Sequence, residues 1–280
     1  MNGAHDMITL GANTVLFGRE SLRTALEQLK WAGYDAAEIS ALNGLGAFGD
    51  PLGEHLHLDR WAGEAAQIKA LVEEIELPLT AMEVGPLDET RIMQAFEAAR
   101  EIGIPVINIG PSGKSGITED FSACIDRIAK LATEAEQAGV TLCVKAHVGA
   151  SIDNTETTLK AMAEIDSPAF GIDMDPSHIH RNGEVPKDAL KEVISRVKHV
   201  HIRDCFGPGP APGAPEMQSC GRGDIDLLGY CQVLVDAGYD GPVNVEIIGA
   251  SAYDLPKCIS IAAENRGYLN ACLKACQGRA

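Results

Sequence analysis

Short runs rich in β-forming residues alternate with longer segments of helical spacing along this chain, and few folds absorb that order. The β-rich runs are Ile8–Leu10, Ala36–Ile39, Leu79–Met82, Val106–Ile109, Thr141–Lys145, Phe170–Met174, His199–Ile202 and Val243–Ile247. Between them lie helix-patterned segments at Ser21–Trp31, Trp61–Ile75, Glu89–Ile102, Asp120–Ala138, Thr155–Ile165, Lys187–Arg196 and Leu227–Ala237. Thr118 and Asn154 stand where helix starts are expected. Gly33, Gly103, Gly139 and Gly238 stand where helices end. Strand, helix, glycine, strand is the order of right-handed βαβ units and a parallel sheet. Eight units in 280 residues leave about 35 residues each, as a closed barrel needs. The expectation is a single-domain (β/α)8 TIM barrel over residues 1–280, with its functional groups at the C-terminal mouth of the strands. An open doubly wound sheet is the competitor. Gly44–Gly49 matches GxGxxG after a strand, but Asp50-Pro51 follows, so no helix opens there to receive a pyrophosphate.

A net charge of −17 repels the phosphates of nucleic acids and acidic membranes, so neither is expected as a partner. A pocket of opposite sign can still accept an anion. No apolar run approaches the roughly eighteen residues of a membrane span, and MNGAHDMITL has no cationic segment ahead of an apolar one. The eight cysteines show no CxxC spacing, which points to buried, reduced thiols and a cytoplasmic protein. Gly207–Pro215 is too rich in proline and glycine for a helix or strand; it is either a lid over the mouth or a mobile loop.

The ends of the later strands are unexpectedly polar. The fifth ends in Lys145-Ala146-His147, and the sixth in Asp173-Met174-Asp175-Pro176-Ser177-His178. The seventh carries His199-Val200-His201-Ile202-Arg203, and the eighth Asn244-Val245-Glu246. One aspartate at a strand end is usually a cap, and one histidine a rim residue. Polar residues on four successive strands exceed what packing explains, and two carboxylates with an imidazole suit Mn²⁺ or Mg²⁺. Glu38 and Glu83 are pocket candidates, with a structural role equally open. His55-Leu-His57 reads as a rim pair rather than a metal pair, and Arg222-Gly223-Asp224 as a turn.

From about Gly139 to Gly249 the chain resembles the sugar phosphate isomerase/epimerase family of xylose isomerase-like barrels. The resemblance is carried by AGVTLCVKAHVG, IDMDPSH, HVHIRD and GRGDID…AGYDGPVNVEI, in that order, and more loosely by GYDAAEIS around Glu38. It implies metal ligands at Asp175, His201 and Glu246, with a fourth falling on Lys145, where the family has glutamate. It places His178 at a substrate-contacting position and Arg203 at a basic position beside the site; His147 shares the face of Lys145 by strand alternation and is expected to contact substrate, with a place at the ion as the alternative. Homo-oligomerisation is a family-level expectation.

The lysine changes the chemistry, because an ammonium has three donors and no acceptor. Lys145 either swings away from a bound metal, serves as an acid/base opposite Glu246, or replaces the metal. The activity this implies is metal-assisted isomerisation or epimerisation of a sugar or keto-sugar by proton transfer beside a carbonyl, with Glu246 and Lys145 as catalytic residues and Mn²⁺ or Mg²⁺ as cofactor. Two alternatives stand beside it. One is β-elimination from a keto-sugar by a lyase or dehydratase. The other is a non-catalytic barrel, a subunit or sugar-binding protein, which would tolerate Glu246→Gln. The abasic-site endonucleases share the barrel, but the acidic surface speaks against a DNA substrate.

Overall fold

The computed structural model describes residues 8–44 and 52–279. Apart from Gly44, the GxGxxG match lies outside the described residues. Eight parallel strands close into a barrel in sequence order, β1 pairing with both β2 and β8. They are β1 (Thr9–Asn13), β2 (Ala36–Ser40), β3 (Leu79–Gly85), β4 (Val106–Ile109), β5 (Thr141–Lys145), β6 (Phe170–Asp173), β7 (Val197–Ile202) and β8 (Pro242–Val245). The helices are α1 (Leu22–Ala32), α2 (Trp61–Ile75), α3 (Glu89–Ile102), α4 (Thr118–Ala138), α5 (Thr155–Glu164), α6 (Pro176–Arg181), α7 (Pro186–Val193), α8 (Leu227–Asp236) and α9 (Leu255–Ala275). The open doubly wound alternative is thereby excluded.

Local signals set most helix limits. Asn154 forms a capping box with Thr157 at the start of α5. Gly33, Gly103 and Gly139 end α1, α3 and α4 in left-handed conformations that glycine adopts without penalty. Thr118 differs from its expected role: it is the first residue of α4, and Ile117 caps the helix with no side-chain bond. Two helices fall outside the sequence-predicted segments. One is α6, which is short and opens on Pro176; the other is α9, which packs against α8, α1 and β1.

Amphipathic helices bury one face against the outside of the barrel. In α1 that face is Ala25, Leu26 and Leu29, and each fully buried leucine contributes roughly 1.5–3 kcal/mol. Inside the barrel, Ala81, Val106 and Cys143 form a separate small apolar cluster. Two residues further along the same strand faces stand Glu83, Asn108 and Lys145, so the interior turns from apolar to polar toward its C-terminal end. Gly11 lets the inner wall close up: a Cβ there would lie 2.0 Å from Asn244 Oδ1, which would have to shift. All eight cysteines are free and buried. Among the described residues no helix is long and apolar enough to cross a membrane.

Candidate active site

The strand ends deliver the site. Lys145 is the last residue of β5 and His201 lies within β7, while Arg203 and Glu246 sit one residue past β7 and β8. Asp175, two residues beyond β6, caps α6: its Oδ1 accepts from the Ser177 N–H at 2.8 Å and from Ser177 Oγ at 2.7 Å. All five side chains are buried. Lys145, Arg203 and Glu246 border a cavity of about 390 Å³ at the mouth, whose wall also includes Glu83, His147 and His178.

Lys145 Nζ lies 2.8 Å from Glu246 Oε1, 3.2 Å from Glu83 Oε1 and 3.2 Å from His201 Nδ1. Burial disfavours its charge, but the Glu246 and Glu83 carboxyls outweigh burial and hold its pKa above the ordinary lysine value. It therefore stays an ammonium at neutral pH, a fixed cation rather than a base. Arg203 makes a second bridge. Its Nη1 is 2.8 Å from Glu246 Oε2 and its Nη2 is 3.1 Å from Asp175 Oδ2, while Nε donates to Ser177 Oγ at 2.8 Å.

The carboxyls respond in opposite directions. Burial and the neighbouring Glu246 charge push Glu83 up to about 8. Burial acts the same way on Glu246, but Arg203 and Lys145 prevail and hold it well below the usual carboxylate range. At neutral pH the site thus holds a protonated Glu83 beside an ionised Glu246. Such a divergence suits one carboxyl to give a proton and the other to take one.

Beneath the cavity lies a second polar layer. His201 Nε2 is 2.5 Å from Glu38 Oε2, and Nδ1 is 2.7 Å from Asp173 Oδ2. Burial opposes charge on this imidazole, but Asp173 and Glu38 raise its pKa well above the ordinary value. Asp173 Oδ1 also accepts from the His201 backbone N–H at 3.0 Å and faces His199 Nδ1 at 2.9 Å. Asn108 donates to Glu38 at 2.6 Å and Asn13 to Glu83 at 2.6 Å. Asn13, Asn108, Asp173, His199 and Asn244 were not assigned roles from sequence. The signal for several of them is alternation: Asp173, His199 and Asn244 each precede a site residue by two on the same strand face.

His147 and His178 face the cavity together, their ring centroids 4.2 Å apart. Burial and neighbouring cations lower both pKa values, that of His178 strongly, so both rings are neutral hydrogen-bonding groups at neutral pH. Arg203 Nη2 lies 3.0 Å from His178 Nε2. His55 meets Thr14 Oγ1 and the Glu20 carbonyl, and His57 pairs with Glu64, which makes both rim residues. Arg222 pairs with Glu264, and Asp224 accepts from the Gly207 N–H, in keeping with a turn. The Gly207–Pro215 segment is tied to α6, because Arg181 donates to the carbonyls of Gly209 and Pro210.

Asp175, His201 and Glu246 do not form a common ligand cluster among the described residues. The groups whose ligand atoms lie within 4.8 Å of one another are Glu83–His201–Glu246 and Glu38–His199–His201. The first is a donor set that a divalent ion accepts. However, Lys145 Nζ stands within 3.2 Å of all three of its side chains, so an ion does not fit while the ammonium holds this place.

A sequence profile described as xylose isomerase-like TIM barrel matches residues 26–271, and the chain belongs to that family. An inosose dehydratase of Clostridium perfringens is 30% identical over 142 residues, covering 46% of this chain and 47% of that protein. The chain thus spans about half the length of the curated relatives it matches. Two solved structures show the same fold. A D-tagatose 3-epimerase-like protein aligns at TM-score 0.76 and 19% identity, covering 96% of this chain and 98% of that one. An IOLI protein with a bound zinc atom aligns at TM-score 0.73 and 18% identity, covering 95% and 100%.

Proposed function

We propose that this barrel is a carbohydrate dehydratase, a lyase that removes water from a keto-sugar or keto-cyclitol by proton transfer beside the carbonyl. The observation that carries the reading is the split between Glu83, pushed up to about 8, and Glu246, held low, on either side of the Lys145 ammonium. Elimination needs an acid for the departing hydroxyl and a base for the hydrogen beside the carbonyl. Glu246 takes that hydrogen as a proton, and the electron pair moves onto the carbonyl oxygen, whose negative charge the Lys145 ammonium stabilises. Collapse of the enolate expels the β-hydroxyl, which takes the Glu83 proton and leaves as water. Arg203, His147 and His178 line the cavity as substrate contacts. The inosose dehydratase relative supports the same reaction class.

Isomerisation or epimerisation is the second reading. It begins with the same proton abstraction and differs in returning the proton to carbon; the fold of the tagatose-epimerase-like neighbour is compatible with it. No step is assigned to Mn²⁺ or Mg²⁺, the ions implied by the family pattern, because Lys145 stands among the donors. A small carbohydrate substrate and a cytoplasmic setting complete the proposal.

The test is incubation of the purified protein with a panel of keto-cyclitols and keto-hexoses, with products read by mass spectrometry. Loss of one water from at least one substrate, reduced about 10²–10⁴-fold in Glu246→Gln, is the expected result. Conversion without loss of water selects epimerisation. Equal turnover by wild type and Glu246→Gln refutes the assignment of the base.

A further inference from the structure

We propose that the Lys145 ammonium is a built-in replacement for a divalent ion, so that this barrel works without bound metal. The inference deepens the reading of the mouth as a proton-transfer site, but its metal half rests on geometry alone.

Three side chains, Glu83, His201 and Glu246, present ligand atoms within 4.8 Å of one another. Clusters of this kind are what an ion would gather. Here the three converge on a cation already supplied by the chain: Nζ is 3.2, 3.2 and 2.8 Å from Glu83 Oε1, His201 Nδ1 and Glu246 Oε1. The two carboxyl oxygens stand at hydrogen-bond lengths for an ammonium donor, with the His201 ring in contact beside them. Metal–ligand distances would be about 2.0–2.2 Å, so the two cations cannot share the space.

The surroundings are arranged as they would be around a metal. A metal-bound imidazole commonly ties its other nitrogen to a carboxylate, which fixes the ring. His201 shows part of that arrangement: Nε2 is held by Glu38 at 2.5 Å, while Nδ1 lies 2.7 Å from Asp173 Oδ2 and 3.2 Å from Lys145 Nζ. The cation it faces is an amine. On the other side, Arg203 bridges Glu246 and Asp175, so the remaining expected ligand also meets an organic cation. Asp175, His201 and Glu246 are therefore each compensated by Lys145, Arg203 or a partner of the layer below.

The replacement keeps one function of a metal and loses another. An ammonium at a carbonyl oxygen supplies positive charge and a hydrogen bond for a developing enolate. It cannot accept two substrate oxygens in a chelate as an open metal site does. Orientation then falls to the polar side chains of the cavity wall, His147, His178 and Arg203. Arg203 Nη1 is held in turn by Glu246 Oε2 at 2.8 Å.

The experiment needs no substrate. Protein purified from cultures supplemented with Mn²⁺ and Zn²⁺ is assayed for metal by elemental analysis. Thermal melts are then recorded with and without added Mn²⁺ for wild type and Lys145→Glu, with circular dichroism to confirm that the variant is folded. The wild type is expected to carry no stoichiometric ion and to melt at an unchanged temperature. Lys145→Glu, which restores a carboxylate among the donors, is expected to gain Mn²⁺-dependent stabilisation, because a ligand that binds only the folded state raises the melting point. A wild type holding about one ion per chain overturns the proposal. So does a folded Lys145→Glu whose melt ignores Mn²⁺, since Lys145 would then not be what occupies the site. Neither readout depends on catalysis, so failure of the dehydratase reading and failure of this inference are separable.

Discussion

Asp173 supports His201 from below, and Asp173→Asn shows how much that layer contributes. The carboxylate accepts from the His201 N–H at 3.0 Å, faces His199 Nδ1 at 2.9 Å and lies 2.7 Å from His201 Nδ1. It is fully buried, and although burial opposes its charge, His201 and His199 hold its pKa well below the usual range. Asparagine keeps the shape and removes the charge, leaving His201 with Glu38 alone. Removing one partner of a buried pair typically costs about 3–5 kcal/mol, so a loss of that size is expected in urea unfolding at about pH 6, just below the unfolded histidine pKa. The sign with pH follows from linkage. A depressed folded pKa gives Asp173 a stabilisation that is complete above its unfolded value of about 3.9 and disappears as pH falls through the folded value. His201, with a raised folded pKa, contributes fully below its unfolded value of about 6.5 and loses that contribution as pH rises through the folded one. The gap between wild type and Asp173→Asn should therefore narrow at both ends, below about pH 4 and again as pH rises from about 6.5 toward the folded His201 value. A loss under about 1 kcal/mol, the size of one ordinary hydrogen bond, refutes the charged-layer account.

Two further outcomes follow from single contacts. If Glu83 is the acid, kcat falls as pH rises through about 8, and Glu83→Gln, which has no proton to donate, abolishes turnover at every pH; a wild-type profile flat across that range removes Glu83 from the role. Gly11→Ala places a methyl 2.0 Å from Asn244 Oδ1, and overpacking of this kind costs about 1–3 kcal/mol; an unchanged urea midpoint shows that Asn244 moves freely.

The barrel was legible in the chain because period-2 runs, helical spacing and helix-ending glycines agree with one another. The ends of β4 and β5 match their expected limits, whereas β1 runs on to Asn13 and β8 stops before Glu246. A short proline-led helix hid α6: from sequence, Asp175 reads either as a cap or as a ligand. In the structure its Oδ1 caps α6 while its Oδ2 pairs with Arg203.

The site residues were legible as strand-end polar groups, but their partners were not. Lys145 meets Glu83, 62 positions before it, and Glu246, 101 positions after it. His201 meets Glu38 across 163 positions. Alternation tells which face a residue takes; only closure of the barrel tells which neighbours share it. The same gap explains the acid/base role expected of Lys145. Burial alone would lower a lysine pKa, and the two glutamates that reverse the outcome become visible only once β3, β5 and the residue after β8 converge.

Proton abstraction beside a carbonyl by Glu246 is read out by exchange with D₂O. A keto-cyclitol or keto-hexose substrate is incubated with wild type, Glu83→Gln and Glu246→Gln, and deuterium at the carbon beside the carbonyl is followed by NMR. Wash-in is expected with wild type, wash-in without loss of water with Glu83→Gln, and none with Glu246→Gln. Exchange by Glu246→Gln at the wild-type rate, or turnover by wild type that leaves that hydrogen in place, contradicts it.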